Sequence, residues 1–358
     1  MAKSLFWFTL FLVIFGLVML SSAGLIDGRN KFGSPYFYFT HQLLYSILPG
    51  FGLALILSRI NYKFWKKISP LVLFGALVLM VLVFVPSFGF GSKGATRWLN
   101  IYGFVFQPAE LLKLALVIYL AAWFSGRDER IKNWVYGTAP FFVVLSFVAV
   151  LLAMQPDIGT LIIVTLISLG VYFVAGVDLK HFLLVLLVII LVVAALIRFE
   201  PYRFDRIKAF LNPSIDPQGS SYQINQSFIS IGSGGLFGVG FGQGTQKAGF
   251  LPEAVGDSVF AVIAEELGFV GATGTIIMFL ALCFILMKIA KNTSDKFGIL
   301  LVMGVNIWVM SQAIINIAAI SGLAPLTGIP LPFVSYGGTA TIALLGGLGI
   351  VFNVAKRG

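Results

Sequence analysis

The chain has 358 residues, of which 59% are hydrophobic and 11% charged, with a mean hydropathy of +0.99. Soluble domains carry roughly 25% charged residues, so a soluble fold is excluded. The formal charge is +10, but its basic residues are scattered through short connections between apolar runs, a pattern that suits anionic lipid headgroups and not nucleic acid.

Apolar runs long enough to cross about 30 Å of hydrocarbon recur along the chain, each needing about 20 residues as a helix. A transmembrane β-barrel would show short segments of alternating polarity, whereas runs such as Phe182 to Ile197 are apolar on every face. The fold class expected is therefore an all-α integral membrane protein of about ten transmembrane helices in a single polytopic domain over residues 1–358.

The first five spans are expected at Ser4 to Ala23, Tyr38 to Ser58, Ser69 to Val85, Gln107 to Phe124 and Trp134 to Met154. The others are Ile158 to Val177, Phe182 to Ile197, Ser258 to Met287, Gly298 to Ile320 and Gly338 to Ala355. Lys3, the first apolar run and Ser21-Ser22-Ala23-Gly24 imitate a secretory signal, but the apolar core is longer than an h-region, so the helix is read as uncleaved. Cys283 lies within an apolar run and, as the one cysteine, can form neither an intrachain disulfide nor a cysteine-rich metal site.

With the N-terminus inside, cytoplasmic connections hold Arg59, Lys63, Lys66, Lys67, Arg127, Arg130, Lys132, Lys180, Lys288, Lys291, Lys296, Lys356 and Arg357. Short outer connections hold only Arg29, Lys31, Lys93 and Arg97, so the bias puts both termini in the cytoplasm. Residues 198–257 form one large outer loop between the seventh and eighth spans, and loops of this length are usually functional. Its Tyr202 to Leu211 stretch mixes aromatic and basic residues, as in a helix lying among headgroups or a lid over the bundle. The glycine-rich Ile231 to Gly244 stretch lacks a phosphate-binding loop pattern; its glycines serve either close backbone turns near lipid or sugar, or simple flexibility.

Ionisable groups cost several kcal/mol inside a bilayer unless paired or hydrated. Gln107, Glu110 and Lys113 recur every three residues, which puts Glu110 and Lys113 on neighbouring turns of one helix face. They either neutralise each other for burial or line a polar cavity below the outer loop that carries Arg97 and Trp98, a pair suited to an anionic headgroup. Asp157 follows Pro156 at the start of the sixth span, where it can cap the helix, and Asp257 stands at the start of the eighth. Glu265 and Glu266 lie about two turns deeper, where one facing the bundle would need a donor such as Lys113. The last outer connection, Ser321 to Gly338, holds Pro325, Pro330, Pro332 and Ser335; so stiff a segment must be buried in protein or line a cavity such as a groove for a lipid tail.

Five stretches, in order, resemble the SEDS (shape, elongation, division and sporulation) family. They are Phe106 to Lys113, Gln155 to Thr160, Ile231 to Gly238, Ala261 to Gly268 and Pro330 to Gly338. Asp216-Pro217-Gln218-Gly219 and Gly328 to Val334 look more like the FtsW division branch, while Gly242 to Gln246 is closer to the RodA elongation branch; the balance favours FtsW. The resemblance implies a ten-helix peptidoglycan glycosyltransferase of the bacterial cytoplasmic membrane. It would polymerise lipid II, an undecaprenyl diphosphate-linked disaccharide peptide, into β-1,4-linked strands beside a class B penicillin-binding protein. The family's essential acidic residue falls on Asp257, although its usual His-Thr-Asp-Phe reads Val255-Gly256-Asp257-Ser258 here.

On that reading Asp257 is the general base, with Arg97, Gln107, Glu110, Lys113, Asp157 and Ser335 as substrate-binding residues. Arg97 and Lys113 are candidates for the departing diphosphate, a task that a divalent cation, magnesium or manganese, could share, though no cofactor is required. A β-link from an α-linked donor implies one inverting displacement with no covalent sugar-enzyme intermediate. The rivals are a lipid II flippase, which would spread polar residues across the bilayer in two matching halves, and a non-catalytic scaffold for the penicillin-binding protein.

Overall fold

A computed structural model describes residues 1–92, 95–126, 130–199, 208, 210–212, 216–219 and 221–357. Each expected apolar run falls on a helix. The first part of the chain holds α1 (Ala2–Ala23), α2 (Leu25–Phe32), α3 (Phe37–Gln42), α4 (Leu48–Arg59), α5 (Tyr62–Leu82) and α6 (Pro108–Ser125). A wide π-type turn, Leu43–Ile47, joins α3 to α4 in one continuous rod. The remainder holds α7 (Ala139–Met154), α8 (Ile158–Val174), α9 (Leu179–Phe199), α10 (Tyr222–Ser233), α11 (Val259–Lys291), α12 (Lys296–Ile320) and α13 (Gly338–Arg357). Among the described residues eight helical segments are long and apolar enough to cross a membrane, and α8 and α9 supply shorter apolar stretches. The chain is an all-α integral membrane protein in its architecture, apart from one small sheet.

Core and surface follow from the solvent on each side. α12 is central, packing against α6, α8 and α11, while α13 lies along α4 and α5 along α6. Trp308 of α12 is wholly buried, whereas Leu71, Phe74, Val143 and Phe284 are exposed, as expected where lipid tails cover the outer faces. The third span starts at Tyr62 and not at Ser69, because Asn61 Oδ1 accepts Lys63 N–H at 3.0 Å and caps a turn whose lysines hide its helical character.

The eighth span is not one continuous helix. Gly268 has φ 65° and ψ −162° and divides α11 into a half-helix, 259–267, and a longer rod, 269–291. The break leaves helix-end groups without intrahelical partners, and the glycine-rich loop supplies them. Val239 and Gly240 N–H donate to the carbonyls of Glu265 and Glu266, while Phe269 and Val270 N–H donate to those of Gly235 and Leu236. Gly238 has φ 83°, and a Cβ there would stand 2.1 Å from the Glu266 carbonyl oxygen. The glycines thus permit backbone-to-backbone packing on the broken helix.

The sheet, which the hydropathy pattern does not announce, has antiparallel order β1 (Gly89–Ser92), β2 (Ala95–Ile101) and β3 (Phe104–Phe106). Tyr102 (φ 52°) and Gly103 (φ 87°) form the tight two-residue turn between β2 and β3, with both central residues left-handed as a type I′ hairpin needs. Most of the expected Tyr202 to Leu211 stretch lies outside the described residues, as does Lys93. Later in the large loop, α10 lies along α11.

Candidate active site

α6 begins with Pro108 at its first position, where the missing N–H costs nothing. Glu110 and Lys113 follow on its inner face, 4% and 1% exposed, with Lys113 Nζ 2.7 Å from Glu110 Oε1 and over the Trp308 ring at 5.4 Å. Both sequence alternatives hold together: the pair neutralises itself and also lines a cavity of about 150 Å³ with Arg97, Trp98, Gln107, Asp157, Gln312 and the Thr327–Pro330 segment. Loop residues close this end of the bundle. The opposite end carries both termini, where Phe6 of α1 meets Phe352 of α13.

Asp157 caps α8 as its position suggests, accepting Thr160 N–H at 3.1 Å. Its other oxygen accepts the Thr160 hydroxyl at 2.9 Å and Gln107 Nε2 at 3.0 Å, so the cap is also a cavity wall. Arg97, on β2, donates from Nε to the Gln155 carbonyl at 3.2 Å and from Nη2 to the Pro156 carbonyl. It therefore ties the sheet to the α7–α8 connection while lining the cavity.

Asp257 sits at the rim. Ser258, not Asp257, is the N-cap residue of α11, and the Asp257 carboxylate accepts Gln223 Nε2 at 3.2 Å on Oδ1. Gly328 of the cavity wall is so close that a Cβ there would stand 3.9 Å from Asp257 Oδ2. Asn316 Nδ2 bonds the Asp257 carbonyl at 2.7 Å and the Ile329 carbonyl at 2.8 Å, fixing the two loops to each other.

Ser335 is not brought to this cavity. Its hydroxyl donates to the Gly256 carbonyl at 2.6 Å and accepts Leu331 N–H at 2.8 Å, so a short side chain that satisfies two backbone groups is consumed in joining the proline-rich segment to the Asp257 loop. Tyr336 N–H adds a bond to the Val255 carbonyl at 2.8 Å, and its phenol, pushed up by burial, remains protonated opposite His41 Nδ1 at 2.9 Å.

Glu265 and Glu266 point into protein, as expected, but Lys113 is not their donor, because Glu110 already holds it. Glu266 pairs with Lys247 of the large loop and accepts the Ser22 hydroxyl of α1 at 2.6 Å. Glu265 accepts Ser230 Oγ at 3.0 Å and the backbone N–H groups of Thr245 and Gln246 at 2.7 and 3.1 Å. Sequence reasoning also passed over Gln223, Lys247, Gln312 and Asn316. The last two sit one turn apart in a largely apolar helix that also buries Asn306, and that cost of burial was the available signal.

Among the described residues no group of three or more His, Cys, Asp or Glu side chains converges to hold a metal ion. The carboxylates that line the cavity are Glu110, already paired with Lys113, and Asp157, whose two oxygens accept hydrogen bonds from Thr160 and Gln107.

The "Cell cycle protein" family model of FtsW, RodA and SpoVE matches residues 3–358. A probable peptidoglycan glycosyltransferase FtsW of Geobacter sp. (strain M18) is 38% identical over 97% of this chain and 94% of its own length. Stage V sporulation protein E of Bacillus subtilis (strain 168) is 35% identical over 97% and 95%. Among solved structures, a chain from a peptidoglycan synthase complex that coordinates polymerization and crosslinking superposes with a TM-score of 0.81 at 29% identity, covering 99% and 97% of the two chains. The rod shape determining protein RodA of Thermus thermophilus superposes at 0.72 with 28% identity, covering 99% and 96%. A match spanning nearly every residue, together with a shared fold, makes this chain a member of the FtsW/RodA/SpoVE family of cell cycle proteins.

Proposed function

We propose that the protein is a peptidoglycan glycosyltransferase that polymerises lipid II into β-1,4-linked glycan strands at the outer face of the bacterial cytoplasmic membrane, with the cavity beside Asp257 as its active site. The observation that carries this reading is the carboxylate of Asp257, held by Gln223 at the rim of a buried polar cavity. As the acceptor hydroxyl attacks the donor's anomeric carbon, its proton passes to Asp257 and the bond to the undecaprenyl diphosphate breaks with its electron pair on the leaving oxygen. One displacement inverts the anomeric centre. Holding both lipid-anchored substrates in one plane lowers the barrier by proximity.

Basic residues cluster at the end with the termini, including Lys63, Lys66, Lys67, Lys288, Lys291, Lys356 and Arg357, which supports both termini in the cytoplasm and the cavity outside. A class B penicillin-binding protein is the proposed partner, since the solved relative comes from a synthase complex. The test gives labelled lipid II to the purified protein with such a partner: glycan polymer is expected. Lipid II translocation in proteoliposomes without polymer would replace the polymerase with the flippase.

A further inference from the structure

The cavity holds two cationic side chains, Arg97 and Lys113, and two anionic ones, Glu110 and Asp157, so its ionised groups cancel. Lys113 is closed onto Glu110, and Arg97 spends Nε and Nη2 on the Gln155 and Pro156 carbonyls. A site for a multiply charged diphosphate instead presents cations that lack internal partners. What this cavity lacks is hydrogen bonds for neutral and acceptor groups. Glu110 Oε2, Gln312 Oε1 and Thr327 Oγ1, all on residues that line it, are shielded from solvent and meet no partner among the described residues. Buried polar groups left so are costly, and three around one cavity point to a ligand that satisfies them.

We propose that this cavity seats the uncharged N-acetylated sugar ring that bears the attacking hydroxyl, with Gln312 and Thr327 as binding residues, and that the diphosphate lies outside it. The inference rests on the polymerase reading and divides the substrate within it. Hydroxyl and acetamido groups both donate and accept, so one ring can serve the carboxylate oxygen of Glu110, the amide of Gln312 and the hydroxyl of Thr327 together. The acceptor's ring is chosen over the donor's because the cavity wall at Gly328 adjoins Asp257 Oδ2, where the proton must go. Lys113 then serves to hold Glu110 Oε1, leaving Oε2 for the ring, and not to receive the leaving group.

The test uses the full chain in nanodiscs, measuring binding of an uncharged methyl chitobioside by saturation-transfer NMR and of undecaprenyl diphosphate by calorimetry, with lipid II polymerisation assayed on the same preparation. Gln312→Met and the near-isosteric Thr327→Val should each weaken the saccharide about tenfold or more, since a site built for a hydroxyl loses much when a partner is removed, and leave the diphosphate within about twofold. Thr327→Val, in a loop, keeps the test open if Gln312→Met does not fold. Weakened diphosphate with unchanged saccharide in either folded variant overturns the proposal, as does a wild-type protein that polymerises yet shows no saccharide contact, which would leave the cavity to water. A wild-type protein that binds saccharide but makes no polymer would contradict the polymerase reading alone.

Discussion

Glu110 and Lys113 form an ion pair that solvent barely reaches, so each compensates the other inside the bundle. Glu110→Leu leaves an ammonium in the bundle, and Lys113→Met leaves a carboxylate; breaking such a pair costs about 3–5 kcal/mol. Denaturant or thermal unfolding in detergent should show both single variants strongly destabilised, with the double variant recovering part of the loss. Single variants as stable as wild type would show that water reaches the pair. This pairing was legible in the sequence because spacing of three along a helix dictates it. The roles of Ser335 and Gln223 were not legible, since nothing local tells whether a hydroxyl or an amide meets a backbone carbonyl, a substrate or Asp257 from a distant segment.

At the scale of elements, the broken α11 makes the glycine-rich loop a structural partner. Gly238→Ala would place a methyl 2.1 Å from the Glu266 carbonyl at a φ of 83°, and Gly268→Ala would meet the Gly238 nitrogen at 2.3 Å; neither backbone can yield cheaply. Both should lower the unfolding temperature, and hydrogen exchange should quicken first in residues 234–250 and 259–267. Lys247→Met, which strips Glu266 of its ion pair, should quicken exchange in the same two segments. Uniform exchange across the chain in these variants would deny that loop and half-helix are one unit. Hydropathy located the apolar run correctly but could not show the break, because Gly268 is one residue in a run whose two halves are equally apolar. The β1–β3 sheet escaped for a related reason: its aromatic and glycine residues read as loop, although the Tyr102-Gly103 turn joins β2 to β3.

For the whole molecule, ordered apolar runs made the helical architecture readable, since bilayer thickness fixes helix length, while the basic residues in alternate connections supply an expected orientation. In a Cys283-free background, Tyr102→Cys at the exposed hairpin tip should react with a membrane-impermeant thiol reagent in spheroplasts, whereas Lys67→Cys should react only after rupture. The reverse pattern would invert the topology and place the cavity in the cytoplasm. The cavity itself was only partly readable, because it gathers residues from α6, α8, α12, the sheet and the proline-rich segment, far apart in sequence. The central claim is that the Asp257 carboxylate takes the proton of the attacking hydroxyl, and Asp257→Asn isolates it by keeping size and hydrogen bonding while removing the base. Lipid II polymerisation by purified wild-type and Asp257→Asn protein, with thermal unfolding and lipid II binding measured on the same samples, should show a rate lower by a factor of about 100 or more with folding and binding preserved; full activity in the folded variant would contradict the account.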